Sequence, residues 1–580
     1  MFSLMSLEII GVLIAVALYR LYRWLLPKPI PGIPYNTAAA KLLLGDAGDM
    51  LREVRITGEF GAWCAKQVQK MGAPVCQVFI RPFSQPWVLV ADFRESRDIL
   101  MRRREFGKSK FISDGMACLG DFHGLFPTGA RFKFNRQLVQ DLMTSSFLNG
   151  HAGPAIYAHG LKLLEILEVK RKLACGRPFS VSRDIENTAV DSMLSFAFGE
   201  NWQASTLSAD IRLLSGLDAS SLRDGNVLER PVEFPHTELG EFLHVVHEIP
   251  KVVEKATVSW SPRFSFWWWG KQAWYKTLFD IKDRAIRGQV KMALHNVHAG
   301  RVESAMEHML LRESSRADKH DVEPDFDSHV FVDEIFGNII GGHHTTSGAI
   351  MWAIKQLTRH PATQSKLRAT LYASLPAASR EARIPSFSEL RTTKIPYLDA
   401  VIEEVNRLNA FTVTRHTLVD TQILGHPIPK GTEVFMVSNG PGFLSPHLPV
   451  DSTKRTEASR AARLRDCWDE SEDLTAFRPE RWLATDAEGY TEFDGAAGPQ
   501  LVFGLGPRAC WGRRLAKLEM RIVIALVVWN FELLETPQPL SSYRAYEGIA
   551  RVPHMCYVRL KRIEGSIQDP NILVSCRQLQ

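Results

Sequence analysis

Cysteine is sparse in this chain and never paired in sequence. Eight cysteines (64, 76, 118, 175, 467, 510, 556 and 576) are scattered over 580 residues with no C-x-x-C among them. That spacing excludes a zinc ribbon, offers no disulfide framework, and fits a reducing compartment. Charge of one sign is lacking as well: 70 Lys and Arg stand against 64 Asp and Glu, a net +6. So diffuse a basic balance excludes nucleic acid as a partner, while leaving room for an acidic protein or a membrane surface. There is no internal repeat, no low-complexity tract and no second linker after Ala38. With 45% apolar and 23% charged residues the composition is that of an ordinary globular chain able to bury a large core.

What is present begins at the N-terminus. Met1 to Tyr19 is apolar except for Ser3, Ser6 and Glu8, and Arg20 and Arg23 follow before Trp24-Leu25-Leu26. About 20 residues span a bilayer, so Ser6 to Leu26 is just long enough, and residues 1–26 are expected to form a single-pass N-terminal membrane anchor. The basic N-terminus and small-residue end of a cleaved signal peptide are missing. Arg20, Arg23 and Lys28 put the body of the protein on the cytosolic side. Prolines 27, 29, 31 and 34 make residues 27–36 a stiff, extended hinge. Residues 37–580 are read as one catalytic domain.

Within it, Val75 to Phe93 alternates like a two-stranded hairpin turning near Ser84–Pro86. Helical spacing resumes in DFRESRDILMRR, and a loop rich in glycine and aromatics runs from Phe111 to Thr128. Residues 150–330 are mostly helical. The block Ser259–Gly270, SWSPRFSFWWWG, concentrates aromatics and is expected to face lipid or to enter the core. The stretch Asp451–Asp473 is charged and polar, as a surface insertion would be.

The chemistry concentrates in FGLGPRACWG, Phe503 to Gly512. One cysteine, Cys510, sits in a glycine-rich turn before the apolar helical run LAKLEMRIVIALVVW. A helix N-terminus and nearby cations favour the thiolate. The chemistry that needs a soft anionic ligand of this kind is haem ligation with strong electron donation.

These residues resemble the haem-ligand signature F-x-x-G-x-R-x-C-x-G of the cytochrome P450 family, with Phe503, Gly506, Arg508, Cys510 and Gly512 at its fixed positions. The resemblance implies a mainly α fold with a small β-rich region, here preceded by a transmembrane helix. It implies Cys510 as axial ligand of haem b, and Arg508 paired with a haem propionate. Gly506 and Gly512 would let the backbone turn under the porphyrin and aim N–H groups at the sulfur, which Phe503 would shield from water.

Further segments carry the resemblance. In GARFKFNRQLVQDL the family usually has W-x-x-x-R; here Arg136 is present, as a propionate partner, but Phe132 stands in place of tryptophan. In the helical run from Asp333, Gly341, Gly342, Thr345 and Thr346 match [AG]-G-x-[DE]-T-[TS]. Thr345 would assist proton delivery at the distal face. His344 occupies the acidic position, and an imidazole also shuttles protons near neutral pH, so His344 is expected to act as relay. Glu404 and Arg407 form E-x-x-R, with Arg481 in FRPERW as third partner, a structural set. Arg415 stands where another propionate contact is expected, and Phe411 to Thr414 would border the substrate. The turn Gly548–Val552, in a final hairpin, would touch substrate too.

The function so implied is a monooxygenase of the endoplasmic reticulum membrane. It would take electrons from NADPH through cytochrome P450 reductase, with cytochrome b5 as a second donor. It would hydroxylate or epoxidise an apolar small molecule, in a fungal-type secondary-metabolite pathway. Arg513, Arg514 and Lys517 are the expected reductase-facing cations. Two alternatives are a haem-thiolate isomerase or dehydratase that needs no external electrons, and a non-catalytic haem-binding protein. Intact Thr345 and Cys510 disfavour both.

Overall fold

The structure, a computed structural model, describes residues 4–199, 202, 204–218, 222, 228–463 and 465–563. The chain forms two compact units, each assembled from separated stretches. The first comprises Met1–Phe111, Ala410–Thr475 and Gly498–Arg508; the second comprises Ile112–Asn409, Ala476–Ala497 and Ala509–Gln580. The tail after Ile563 lies outside the described residues.

The first unit is built on a five-stranded sheet. Val75–Val78 pairs antiparallel with Trp87–Val90, the hairpin expected from the alternation. Glu433–Met436 runs parallel to Trp87–Val90, then Val413–Thr417 and Phe106–Lys108 follow antiparallel. VCQV and WVLV are buried along their whole length, which is why they read as near-continuous apolar runs. Trp87 stacks on Phe435 at 4.6 Å between ring centres and closes one face.

Leu4–Leu25 is helical, as the apolar N-terminus predicted, but nothing in the structure supports its crossing a membrane. Among the described residues no helix is long and apolar enough to cross a membrane.

The charged stretch 451–473 is tied down rather than loose. Arg455 makes a bidentate pair with Asp92 at 2.6 and 2.7 Å, and Arg94 reaches Asp466 at 2.7 Å. Thr456 Oγ1 donates to Asp98 at 2.8 Å.

The second unit is mainly helical around one long helix, His329–Arg359, whose side chains from Phe331 to Thr358 are mostly buried. It packs against the helices Ser182–Phe198, Pro396–Leu408 and Arg513–Asn530. Interior glycines cost a helix about 1 kcal/mol each, and here close packing offsets that cost. A Cβ at Gly342 would collide with Met193, and one at Gly337 with the Phe122 ring.

Small sheets flank the helices. Ala545–Glu547 and Arg551–Pro553 form a hairpin around Gly548, while Tyr557–Arg562 pairs instead with Phe531–Leu534. The expected single hairpin over 548–563 is therefore split, because its last strand finds a partner distant in sequence. The aromatic block forms a short helix, Pro262–Trp269, that buries Pro262 and packs Phe266 against the core. Phe264, Trp267 and Trp268 are more than half exposed, and Trp260 is exposed as well.

Candidate functional site

In the first unit three cations converge. Phe106–Lys108 pairs with Val413–Thr417 so that Lys108 is directly opposite Arg415. Arg508 ends the 3-10 turn Gly506–Arg508. Lys108 is pushed down to about 7 by burial and then by the charges of Arg508 and Arg415. Arg415 is lowered to about 10 by burial and by Arg508, and Arg508 to about 10 by burial. Arg415 is buried; its Nη1 donates to the Thr414 carbonyl at 2.8 Å, and its Nη2 has no hydrogen-bond partner. Buried like charges with an unsatisfied donor are costly unless an anion completes them. Lys108 was not singled out from sequence. Nothing in FGKSK marks it, since its strand partner lies some three hundred residues away.

Gly506 has φ of 71°, and a Cβ there would collide with the Leu100 carbonyl oxygen. Glycine is therefore required by both backbone conformation and space. Gly512 differs: its φ is −76°, and a Cβ would meet nothing within 4 Å. Phe503 lies in the same stretch of the first unit as Arg508.

In the second unit, Gly512 caps the helix Arg513–Asn530, and the backbone N–H groups of Gly512 and Arg513 hydrogen-bond to Cys510. Cys510 is solvent-accessible on one side. Crowding by protein elsewhere raises its thiol, while those two amides and the charges of Arg513 and Arg136 pull it down. The Arg136 guanidinium, on the helix Ala130–Leu138, stacks 3.1 Å from the centre of the Trp511 ring. Trp511 Nε1 is buried without a partner. Trp511 is a second residue that sequence reasoning passed over, although it directly follows the cysteine. Phe132 packs near His123, at 6.3 Å between rings.

The long helix carries two kinds of glycine. Gly342 is filled by Met193, whereas Gly341 is exposed with open space beyond it. Thr345, one turn on, donates its hydroxyl to the Gly341 carbonyl at 2.8 Å. His344 points elsewhere: its Nε2 lies 3.6 Å from Glu254 Oε1, on the helix Glu241–Thr257. Among the described residues His344 and Thr345 are not hydrogen-bonded to each other. His343 is buried, with Nδ1 2.8 Å from the Ile339 carbonyl, and burial pushes it down to about 3. The loop from 112 to 128 is pinned to this helix. Asp121 N–H donates to Asp333 at 2.9 Å, and His123 Nδ1 lies 2.7 Å from Glu334.

Glu404 is fully buried. It accepts from Arg407 through both oxygens at 2.8 Å and from Arg481 Nε at 3.0 Å. Trp482 Nε1 at 2.9 Å and the Arg478 backbone N–H at 3.0 Å complete the shell. The E-x-x-R spacing predicted the first pair, and only the fold adds the indole. Of the three expected docking cations, Lys517 is bonded to Glu403, and Arg514 donates to the Met143 carbonyl at 3.2 Å. Arg513 and Arg514 are exposed.

These residues suit a haem. In the second unit Cys510, already supplied with two amide donors, is the kind of thiolate that haem iron takes. In the first unit Arg415, whose Nη2 has no partner among the described residues, and the cations beside it are suited to carboxylates. The comparisons agree with this chemistry. The family model for cytochrome P450 matches residues 65–440 and 461–555 and leaves out part of the charged insertion. The cytochrome P450 monooxygenase xilC of Penicillium rubens is 38% identical over 557 residues, 95% of this chain and 96% of its own length. The cytochrome P450 monooxygenase TRI13 of Fusarium sporotrichioides is 36% identical over 580 aligned residues, 95% of this chain and 98% of its own. Similarity that runs nearly from end to end through the cysteine loop leaves one conclusion: the chain belongs to the cytochrome P450 family, as an oxygen-incorporating monooxygenase.

Proposed function

We propose that this monooxygenase takes electrons from NADPH through cytochrome P450 reductase, with cytochrome b5 as a second donor. It hydroxylates or epoxidises an apolar small molecule in a secondary-metabolite pathway. The observation that carries the reading is Cys510, with the amides of Gly512 and Arg513 directed at its sulfur where a helix begins. Bound haem supplies the activation of dioxygen, with one oxygen atom entering the substrate and the other leaving as water.

The residues divide that work. Cys510 binds as a thiolate, and the two amides and Arg513 spread its charge. Arg415, Arg508 and Lys108 in the first unit, and Arg136 in the second, are the cations each unit would offer to carboxylates. Thr345 keeps a hydroxyl on the open face of the long helix beside Gly341, where it hands on protons. His344 replaces the usual acid as proton relay, a task suited to an imidazole near neutral pH.

The location we propose is the cytosolic face of the endoplasmic reticulum membrane. Support comes from the exposed apolar side chains of the first helix, Ile9 to Trp24, and from the exposed Phe264, Trp267 and Trp268.

The test is the carbon monoxide difference spectrum of the dithionite-reduced protein beside Cys510→Ser. A strongly red-shifted Soret band in the wild type, lost in the variant, is expected. Its absence from folded, haem-loaded protein would remove Cys510 as ligand. Turnover that proceeds without NADPH and reductase would overturn the electron-transfer reading.

A further inference from the structure

Two buried polar atoms without hydrogen-bond partners face each other in the second unit. His344 Nε2 and Glu254 Oε1 are 3.6 Å apart, and neither has a hydrogen-bond partner among the described residues. Leaving either orphaned is costly, and buried polar atoms are rarely left so without a role. The gap is one that a small side-chain rotation closes.

The arrangement around them is specific. Glu254 sits against Gly548, in the turn between Ala545–Glu547 and Arg551–Pro553; a Cβ at that position would collide with its carboxylate. The Glu254 side chain keeps 26% of its surface exposed, against 12% for His344. The Glu254 side chain thus borders solvent, while its buried Oε1 faces the imidazole.

We infer that Glu254 is the positioning and proton-exchange partner of His344, a carboxylate–imidazole pair that carries protons from solvent to the long helix. The inference rests on the reading of His344 as relay. Glu254 takes a proton from water and passes it to His344 Nε2. The imidazolium then releases its Nδ1 proton on the side of the ring away from Glu254. Glu254 is again a carboxylate, His344 is left as the other neutral tautomer, and a ring flip restores the starting state. No electrons move in this exchange.

Other charged and titratable groups surround the pair. Glu186 and Arg183 come from the Ser182–Phe198 helix, and Lys251 and His247 from the Glu241–Thr257 helix. His343 flanks His344 on its own helix, and Tyr546 of the hairpin stands between the fields of Glu254 and Glu186. Burial raises the Glu186 carboxyl, opposed by the charges of His344, Lys251 and Arg183.

The experiment follows the infrared C–O stretch of the ferrous carbon monoxide complex against pH, in holoenzyme. Product formed per NADPH is measured alongside. Wild type, His344→Gln, Glu254→Gln and the charge-keeping Glu254→Asp are compared. A pH-dependent stretch is expected in wild type and should disappear in His344→Gln. In Glu254→Gln the pH dependence of the stretch should weaken, because the imidazole has lost its proton-exchange partner. Product per NADPH should fall several-fold in that variant, and Glu254→Asp should recover part of both. If His344→Gln abolishes the pH dependence but both Glu254 variants keep the wild-type pH dependence and coupling, the role of Glu254 is wrong and His344 stands. If His344→Gln changes neither readout, the relay itself fails and this inference with it.

Discussion

Lys108 and Arg415 stand directly opposite each other across an antiparallel strand pair, two like charges at one register position. Like charges so placed repel, and the lowered Lys108 reflects that repulsion together with burial. If their purpose is to hold an anionic group, Lys108→Met should release haem several-fold faster to a haem acceptor such as apomyoglobin. The urea midpoint of the haem-free protein should not fall, because one repelling charge is gone. Unchanged haem transfer would assign Lys108 no part in retention.

Two glycines of the cysteine loop should respond in opposite ways. Gly506→Ala places a methyl group into the Leu100 carbonyl at a positive φ, a strain on the order of 1–3 kcal/mol. Most of the red-shifted carbon monoxide band should be lost. Gly512→Ala meets no neighbour at an ordinary φ and should keep the band. Equal spectra from the two variants would contradict this account.

Glu404 is the anchor of a closed set with Arg407, Arg481 and Trp482. Removing the charge leaves two buried guanidinium groups uncompensated, at a cost of about 3–5 kcal/mol. Glu404→Gln should lower the denaturation midpoint and the haem content on expression. Trp482→Phe loses only one hydrogen bond to a charged group and should cost about 1.5–3 kcal/mol.

Two buried histidines set an acid limit. His343 and His159 are each pushed down to about 3, chiefly by burial. In the window from about 6.5 down to 3 the unfolded chain binds the extra protons, so stability falls as the pH falls and levels off near 3. Each group can contribute on the order of 4 kcal/mol across that window. Urea titrations at a series of pH values should show a shallower acid slope for His343→Phe than for wild type.

The exposed Arg513 and Arg514 differ from Lys517, which is held by Glu403. Neutralising both arginines should slow reductase-supported turnover at low salt by several-fold and flatten its salt dependence. Lys517→Gln should do so far less. A uniform response of all three would remove the distinction.

The sequence by itself determined the family and its chemistry. Cys510 with Phe503, Gly506, Arg508 and Gly512, the E-x-x-R pair of Glu404 and Arg407, and the Gly341–Thr346 run are local spacings, legible because neighbours along a turn or helix stay neighbours in the fold. The hairpin from Val75 and the long helix were legible for the same reason, through periodicity. Tertiary structure decided what depends on partners distant in sequence. It brought Lys108 opposite Arg415, turned His344 toward Glu254 and gave Gly342 to Met193 but left Gly341 open. It also brought Trp482 to Glu404 and kept the aromatic block at the surface. Local patterns carry propensity and chemistry; which side chains meet across hundreds of residues is fixed by packing and strand register alone.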